Sequence, residues 1–510
     1  MGESRPVSPA PSLVGGVWAV SLMGIDVGSS SVKVAVYHTD GILIGVERED
    51  LNPQHLQAGW WEQDPEEVWH LTSSLIRKLM KNDTLRRDPP QVLAISASVR
   101  ENFPADRNGN PLASCIMAAD TRGEEYETPP AGAKLPEGWS FSCGHTRERM
   151  DPLNRLLWWR KNRPDLIREA RYFPGWHEFL SLRMCGQAVL DGTIASRWLL
   201  FDLASMNWDQ DRAGQNGVQE SFLPKVLPWG TVIGDVKMEI AEDWGIFSPL
   251  KLAVGAADLN CAALGAGVTA LGEACMASGT FENLLVPTSG LPSTSMLLRG
   301  LSVTPHPGAA GRAIWAICPT GTAVVNWSRN LLHLSIEEVD RNLSESEPTP
   351  SPVLAVPFLS GAFINWQGGR KLRGALFELA LATSQIDIVK AMMESIAYEH
   401  VNTTSLLREE GVGVEFIRAT GGGTRSRWWT QLKADVMGIP IGVVDQPEPG
   451  TLGAALLAGY AIGAIGELGT TSRLFSGTAR IHEPNPKRAE QHLGKMRMYR
   501  ERVGQLLMTS

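Results

Sequence analysis

The chain has 510 residues, of which 43% are hydrophobic and 20% charged, and 47 Lys and Arg against 55 Asp and Glu give a net charge of −8. This length predicts two or more domains with a cleft between them and excludes a lone small binding module. The acidic balance provides no basic field, so neither nucleic acid nor an anionic membrane surface is an expected partner.

The cysteines favour a cytoplasmic protein. There are six, far apart and without Cys-x-x-Cys spacing, which is typical of free thiols in a reducing compartment. No run reaches the roughly 18 apolar residues of a membrane helix. We interpret residues 1–22 as a disordered N-terminal extension that leads into the first strand.

The first half then alternates strands and helices. An Asp-Gly turn joins two of the early strands, so the protein opens with three antiparallel strands. Asp64 before Pro65 predicts the start of a helix that runs to Met80. The predicted strands are Ala19–Val27, Ser31–Tyr37, Ile42–Val46 and Val92–Ala97.

A similar alternation recurs in the second half, which predicts a second α/β unit. The boundary is placed near Asp258–Gly267, where small residues predict a helix after the strand Leu252–Ala256. The predicted strands are Gly272–Ser278, Leu284–Pro287 and Phe416–Thr420, and the predicted helices are Thr322–Leu332 and Ile386–Leu407.

A turn rich in glycine and serine is the first candidate site. Asp26 closes a buried strand, Gly28 permits a tight turn, and three serines and Lys33 follow within five residues. Backbone N–H groups, hydroxyls and a lysine in this order can cradle phosphate. An ordinary serine-rich hairpin would have the same composition, so both interpretations stay open.

Two further clusters end strands in the second half. The first is Ala277-Ser278-Gly279-Thr280, and the second, Thr420 to Ser426, contains three consecutive glycines before a helix that starts near Arg427. Glycines before a helix N-terminus let an anionic ligand approach the backbone. Neither cluster matches a P-loop or a dinucleotide fingerprint.

The ordered set of motifs resembles the FGGY family of carbohydrate kinases, over roughly residues 23–480. The pieces that carry the resemblance are the three clusters, Gly255 to Asp258, Trp60 to Pro65, Asp120-Thr121-Arg122, Leu156 to Trp158, Ala195-Ser196, Phe358 to Gly361, Arg373-Gly374, Gln431 with Ala434-Asp435, and Glu448 to Ala455. The resemblance implies an α/β protein with two ribonuclease H-like domains of the actin and hexokinase ATPase type and a cleft between them. It implies an acceptor-side domain over residues 23–261 and a nucleotide-side domain over 262–510.

The family also implies a role for Asp258 as the catalytic base that takes the acceptor's proton. The residue follows a strand and opens a predicted helix, whose dipole favours an ionised carboxylate. The alternative is that Asp258 only caps this helix.

The nucleotide side follows from the same resemblance. Asp26 would bind Mg²⁺, because a carboxylate combined with nucleotide phosphates is a common magnesium arrangement. The residues implied to bind ATP are Gly28, Ser29, Ser30, Ser31, Lys33, Gly279, Thr280, Asn326, Gly422 and Ser426.

The acceptor side depends on Arg100-Glu101, which stand where glycerol kinases carry a similar pair. A guanidinium and a carboxylate can bracket a diol, although an ion pair in a surface loop remains the alternative. Asp120, Arg122 and Glu178 resemble further positions near the sugar pocket.

These observations predict an ATP-dependent kinase that phosphorylates a primary hydroxyl of a linear polyol or open-chain ketose. Two alternatives stay open: a non-catalytic nucleotide-binding protein of the same fold, and a family kinase with an unusual acceptor such as the quorum-sensing autoinducer. The expected partner is a small sugar or polyol, and a homodimer is compatible with the resemblance.

Overall fold

The computed structural model describes residues 20–126, 142–146, 150–308, 310–318, 320–345, 349–362, 366 and 371–509. The first nineteen residues of the predicted extension therefore lie outside the described part. The first strand begins at Ser21. The predicted extension over residues 1–22 and the predicted strand Ala19–Val27 overlap, and Ser21 and Leu22 belong to the strand because the first sheet buries both side chains.

Within the described residues, the first half builds a six-stranded sheet in the order β12-β13-β6-β1-β2-β3. The opening strands β1 to β3 pair antiparallel, as predicted, and β6 lies parallel to both β1 and β13. These strands are β1 (Ser21–Val27), β2 (Ser31–His38), β3 (Leu43–Asp50), β6 (Val92–Ala97), β12 (Val232–Asp235) and β13 (Lys251–Ala257).

Smaller strand pairs connect the elements of this half. Their strands are β4 (Gln54–Gln57), β5 (Trp60–Gln63), β7 (Cys115–Ile116), β8 (Val189–Leu190), β9 (Phe201–Asp202), β10 (Asn207–Trp208) and β11 (Lys225–Val226). In the described part, β5 joins β4 to β7, β8 pairs with β11, and β9 pairs with β10.

The helices of the first half follow local signals in the sequence. The predicted cap of the first helix is confirmed, since the Asp64 side chain accepts a hydrogen bond from the Glu66 N–H and Pro65 occupies the first turn. The helices are α1 (Pro65–Leu79), α2 (Asp83–Arg87), α3 (Pro152–Asn162), α4 (Pro164–Glu169), α5 (Trp176–Cys185), α6 (Gly192–Ala195), α7 (Gln210–Gln215), α8 (Met238–Asp243) and α9 (Asp258–Gly265).

The second half builds a seven-stranded sheet, counted over the described residues, in the order β16-β17-β15-β14-β20-β21-β22. Its strands are β14 (Gly272–Ser278), β15 (Glu282–Thr288), β16 (Ser302–Pro305), β17 (Arg312–Cys318), β20 (Val414–Thr420), β21 (Ile441–Val443) and β22 (Arg480–His482). A separate pair consists of β18 (Leu354–Val356) and β19 (Ala375–Phe377).

The long helices of this half pack beside the second sheet, and one of them reaches the first. The helices are α10 (Thr294–Leu298), α11 (Thr322–Leu331), α12 (Ile336–Glu345), α13 (Gln385–Glu409), α14 (Arg427–Met437), α15 (Pro449–Ala461), α16 (Leu468–Ser476) and α17 (Pro486–Thr509). Helix α15 contacts β1, β6 and β13 of the first sheet, and it also contacts α9.

Glycines allow α9 and α15 to cross in backbone contact. A Cβ atom on Gly265 would lie 1.9 Å from the carbonyl oxygen of Pro449, and one on Gly453 would lie 1.9 Å from that of Cys261. Larger residues cannot occupy these positions without separating the helices. The helix that follows the first sheet and the helix that returns to it are therefore closely packed.

All six cysteines lie within the described residues, and none of them forms a disulfide bond, as predicted. No helix in the described ranges is long and apolar enough to cross a membrane.

Candidate active site

A cleft of about 1250 Å³ lies between the two halves and is lined by residues from both. Residues of the first half, at the ends of β1, β6 and β13, form one wall. The glycine turns that follow β14 and β20 form the other. The predicted site residues that line the cleft are Asp26, Gly28, Ser29, Lys33, Arg100, Glu101, Asp258, Gly279 and Gly422.

The first turn places Asp26 and Lys33 opposite each other across the β1–β2 pair. Ser96 Oγ, on the neighbouring parallel strand, donates a hydrogen bond of 2.6 Å to Asp26 Oδ1. Burial raises the pKa of Asp26, although Lys33, 3.8 Å from Asp26 Oδ2, and the bond from Ser96 counteract it. A desolvated carboxylate therefore faces the cleft beside a cation.

The serines of this turn have different environments. Ser29 is exposed and lines the cleft, whereas Ser30 is exposed beside it but does not line it. Ser31 is buried and pairs with Asp50 in the sheet, and its carbonyl accepts a 3.0 Å hydrogen bond from the Gly28 N–H. The tight turn predicted at Gly28 is confirmed.

Asp258 is the first residue of α9, directly after β13. The N-cap position is Ala257, and the Asp258 Oδ1 atom accepts a 2.7 Å hydrogen bond from the N–H of the adjacent Leu259. Burial raises the pKa of Asp258 to about 7, and the negative charge of Asp26 adds to the shift. A carboxylate with this pKa is well matched to general-base chemistry near neutral pH.

Arg100 and Glu101 follow β6 and are both buried, which rules out a surface ion pair. Glu101 Oε2 accepts a 3.0 Å hydrogen bond from the Arg100 backbone N–H, and burial raises the pKa of Glu101. Arg100 Nη1 lies 3.4 Å from Oδ1 of Asp151, a buried residue before α3. Both residues predicted to bind the acceptor substrate are therefore held in place. We call the side of the cleft that they line the acceptor wall.

Asp120 and Arg122 do not line the cleft. Asp120 accepts hydrogen bonds from the Trp61 N–H at 2.6 Å and from the Arg122 guanidinium at 2.6 and 2.9 Å. Arg122 also donates to Glu62, at 2.7 Å, and stacks 4.3 Å from the centre of the Trp60 ring. These contacts satisfy both charges inside the first half, so neither side chain is directed to an acceptor substrate in the cleft.

Glu178 is also buried away from the cleft, on α5. Burial raises the pKa of Glu178 to about 7. A Cβ atom on Gly175 would lie 3.1 Å from the Glu101 carbonyl and 3.3 Å from Glu178 Oε2, so only a glycine separates the two residues. Glu178 therefore lies behind the acceptor wall.

The turn after β14 is held in place by Thr322, the first residue of α11. The Gly279 carbonyl accepts hydrogen bonds from the N–H of Thr322, at 3.1 Å, and from its Oγ1, at 2.8 Å. Thr280 is exposed beside Gly279 but does not line the cleft. This turn presents its backbone to the same space as Gly422.

Asn326 and Ser426 lie outside the cleft lining. Asn326 is exposed on α11, where its Oδ1 accepts a 2.9 Å hydrogen bond from Arg329. Ser426 is the N-cap of α14 and accepts a 3.3 Å hydrogen bond from the Trp429 N–H. The contact of Ser426 is that of a helix cap.

The sequence analysis used Glu448 only as part of the family resemblance and assigned no role to the segment before α15. Asp445, Gln446 and Glu448 line the cleft, and Glu448 Oε2 lies 2.8 Å from Lys33 Nζ. Pro449 was the available signal, because proline favours the first position of a helix. A helix start attracts anions, so residues just before it can meet a bound anion or its counter-ion.

Comparisons with known proteins agree with this geometry. Residues 21–265 match the family model described as "FGGY family of carbohydrate kinases, N-terminal domain", and residues 312–462 match the C-terminal domain of the same family. A "Probable L-xylulose kinase" of Pasteurella multocida is 23% identical over 485 residues, which cover 94% of this chain and 97% of that protein. A "Gluconokinase" of Bacillus licheniformis is 24% identical over 494 residues, or 94% of each chain.

The fold is confirmed by solved structures. The crystal structure of a "xyloylose kinase" from Brucella ovis superposes with a TM-score of 0.87 at 21% identity, covering 96% of this chain and all of that one. The protein has the two-domain fold of the actin and hexokinase ATPases. Because the two matching family models together span more than half of its length, the chain belongs to the FGGY family of carbohydrate kinases and is a phosphotransferase with an alcohol group as acceptor.

Proposed function

We propose that this kinase transfers the γ-phosphate of ATP to a primary hydroxyl of a linear polyol or open-chain ketose. The observation that carries the proposal is that Arg100, Glu101 and Asp258 line the same cleft as the glycine turns. A hydrogen-bond donor (Arg100), a hydrogen-bond acceptor (Glu101) and a base (Asp258) thus face the proposed phosphate-binding surface.

Arg100 and Glu101 would hold the acceptor. The guanidinium donates to hydroxyl oxygens and the carboxylate accepts from hydroxyl protons, so the pair can bracket neighbouring hydroxyls of an extended chain. Because Asp151 and the backbone fix both side chains, little conformational entropy is lost when the acceptor binds.

Asp258 would take the proton of the reacting hydroxyl. As the hydroxyl oxygen forms its bond to the γ-phosphorus, the bond from that phosphorus to the bridging oxygen breaks, and ADP leaves with the electron pair. The proton ends on the Asp258 carboxylate, whose pKa of about 7 suits this transfer.

The nucleotide phosphates would lie between the turns of the two halves. Ser29 and Lys33 offer hydroxyl and ammonium donors from one side, where the tight turn at Gly28 lets a phosphate approach the backbone, and Gly279 and Gly422 offer backbone from the other. We further propose that the exposed hydroxyls of Ser30 and Thr280 reach the phosphates and that the exposed Asn326 meets the nucleotide, whereas Ser31 and Ser426 act only by shaping the adjacent backbone.

The residues at the first turn fit a magnesium ion. Asp26 and Glu448 bring two carboxylates to one part of the cleft, and the charge of Glu448 raises the pKa of Asp26, as expected where anions are crowded. Hard carboxylate oxygens combined with nucleotide phosphates are the usual ligands of Mg²⁺. When bound, the ion would neutralise charge on the transferring phosphate.

Asp120 and Arg122 would act indirectly. Their buried pair anchors the chain next to Ala118 and Ala119, which line the cleft. Asp120 also accepts the hydrogen bond from the Trp61 N–H, which holds Trp61 at the cleft. We therefore assign them the role of positioning the acceptor wall. Glu178 would support Glu101 in the same way.

The experiment is an ADP-release assay with Mg²⁺ and ATP over a matched panel of glycerol, four- to six-carbon polyols, ketoses, aldoses and aldonates. We expect turnover with at least one polyol or ketose, and ³¹P NMR of the product identifies the phosphorylated carbon. Asp258→Asn is the control for contaminating kinases. Turnover confined to aldonates or aldoses would contradict the proposed acceptor.

A further inference from the structure

A group of ionic and polar side chains lies beneath the phosphate-binding turns of the second half, outside the cleft. Each residue is almost completely buried. We call it the Glu282 cluster, and its members are Ser278, Glu282, His400 and Lys433.

The Glu282 carboxylate is the centre of the cluster. Its Oε2 atom lies 2.5 Å from Nε2 of His400 on α13, and its Oε1 atom pairs with the ammonium group of Lys433 on α14. Burial alone would raise the pKa of Glu282, but Lys433 and His400 outweigh it and lower that pKa to about 2. The carboxylate therefore stays ionised, and it depends on both partners because an unpaired buried charge is strongly unfavourable.

The cluster lies directly beneath the turn at Gly279, which we call the first glycine turn of the second half. Ser278 and Glu282 are paired across the β14–β15 hairpin, and the Ser278 hydroxyl donates to the Glu282 carboxylate. Lys433 Nζ also donates to Ser278 Oγ, at 3.2 Å. The residues between Ser278 and Glu282 include Gly279, so the conformation of this turn depends on the cluster.

The second glycine turn packs directly on the same serine. A Cβ atom on Gly421 would lie 2.7 Å from the Ser278 carbonyl oxygen, and one on Gly423 would lie 2.7 Å from Ser278 Oγ. Gly421 also has a φ of +90°, a conformation that favours glycine. The position of Ser278 therefore sets how closely the two turns approach each other.

Lys433 adds a second link between the turns. It lies on α14, the helix that begins directly after the second turn, and its ammonium is 3.6 Å from the centre of the Trp429 ring on the same helix. The ammonium of Lys433 thus contacts Trp429 on its own helix and bonds Ser278 and Glu282, which flank the turn at Gly279.

We propose that the Glu282 cluster is a positioning device that fixes the spacing of the turns at Gly279 and Gly421–Gly423, and thereby the affinity of the enzyme for nucleotide phosphates. The proposal rests on the proposed function in one respect, which is that these turns bind the nucleotide. It assigns no contact with either substrate to the cluster.

The test uses Lys433→Met, which keeps an unbranched side chain of similar length and removes its charge. We expect the Kd for a non-hydrolysable ATP analogue, measured calorimetrically with Mg²⁺ and no acceptor, to rise about tenfold or more, because small displacements of positioning groups have effects of this size. In kinetics, the KM for ATP should rise while the KM for the acceptor stays within about twofold.

Lys495→Met is the matched control. Lys495 Nζ lies 2.6 Å from Oε2 of buried Glu394, so this pair has the same chemistry in the same half. Glu394 also accepts a 2.8 Å hydrogen bond from the Ser351 N–H, and none of these residues lines the cleft. Lys495→Met should lower the Tm but leave the Kd for the analogue unchanged.

The outcomes separate the two proposals. A folded Lys433→Met protein with the parental Kd, or an equal rise in Lys495→Met, would overturn the positioning role. If Lys433→Met does not fold, Ser278→Ala, which removes only a hydroxyl, is measured in the same way, and a parental Kd for that variant would also overturn it. A parent that bound the analogue but phosphorylated no polyol or ketose would contradict only the proposed acceptor, and a parent that bound no nucleotide would contradict both.

Discussion

Lys33 Nζ lies 2.8 Å from Oε2 of Glu448, although the two residues come from opposite ends of the chain. Lys33 belongs to β2, and Glu448 directly precedes α15. A Cβ atom on Gly450, in the first turn of α15, would lie 2.9 Å from Asp26 Oδ2. The turn at Gly28 and the start of α15 thus form one unit, and if this turn binds phosphate as proposed, incoming phosphates would compete with Glu448 for the ammonium of Lys33.

Lys33→Met should weaken ATP binding roughly 10- to 100-fold, because a hydrogen bond to a charged group contributes about 1.5–3 kcal/mol. The KM for the acceptor should change little. Calorimetry with the ATP analogue measures the effect. Lys251→Met removes an exposed lysine, 3.4 Å from Asp235 on the far edge of the same sheet, and serves as the control that should bind normally. Equal affinity of both variants would exclude Lys33 from the phosphate site.

Asp258→Asn should lower kcat by roughly 100-fold or more while nucleotide affinity is retained, because the amide cannot accept the acceptor's proton. The Tm of this variant at pH 8 should equal or exceed that of the parent. The raised pKa of Asp258 means that burial disfavours its charged form, and the amide removes that charge. Turnover within tenfold of the parent would remove Asp258 as the base.

The pH dependence should follow the same carboxylate. A base works only when deprotonated, so kcat/KM for the acceptor should fall as the pH drops through about 7 and should level off above it. With the ordinary aspartate pKa the fall would begin about three pH units lower. Rates at saturating Mg²⁺ and ATP from pH 5 to 9 test this, and a flat profile from pH 5 to 7 would contradict it. The residual rate of Asp258→Asn should lack this fall.

Local sequence patterns predicted most strands of the first sheet, but they missed β12 and, in the second sheet, β16, β17, β21 and β22. Alternation defined Ser31–Tyr37, and the Asp64-Pro65 start defined α1, because these signals act over a few residues. Together with the family resemblance, they placed Asp26, Arg100 and Asp258 at strand ends, where the structure brings them to one cleft.

The pairing of distant charges could not be read from the sequence. Glu282, His400 and Lys433 stand on three separate elements, and no spacing rule connects residues more than a hundred positions apart. For Asp120 and Arg122, the family resemblance implied positions near the sugar pocket, yet the two side chains bond each other. Only tertiary structure decides whether such a charge is satisfied internally or left for a ligand.

Arg100→Ala should raise the KM for the acceptor at least tenfold and leave ATP binding near normal, because it removes donors from the acceptor wall. Arg122→Met is a demanding control, since it also removes a buried guanidinium, one that is bonded to Asp120. That variant should lower the Tm with a smaller effect on the acceptor KM. If both variants raised the acceptor KM equally, Arg100 would have no special role, and a defect of Arg100→Ala in ATP binding alone would contradict it.

The final prediction is that the two halves close around their ligands. Lys33 and Asp258 are attached to the first sheet, whereas Gly279 and Gly422 follow strands of the second, so neither half alone would complete the proposed site. Because the crossing of α9 and α15 is in backbone contact, we expect it to persist while the sheets rotate about Asp258–Gly267. Closure would exclude water and suppress ATP hydrolysis.

Small-angle X-ray scattering tests this rotation. The radius of gyration should fall when a non-hydrolysable ATP analogue and an acceptor identified by the ADP-release assay are added together, and Lys33→Met at the same concentrations should show a smaller fall because less nucleotide binds. Superimposable profiles for the free and fully liganded parent, with binding verified by calorimetry, would contradict closure. The segment Asp258–Gly267 would then be a rigid packing element rather than a hinge, and the reacting groups would have to meet within the cleft as it stands.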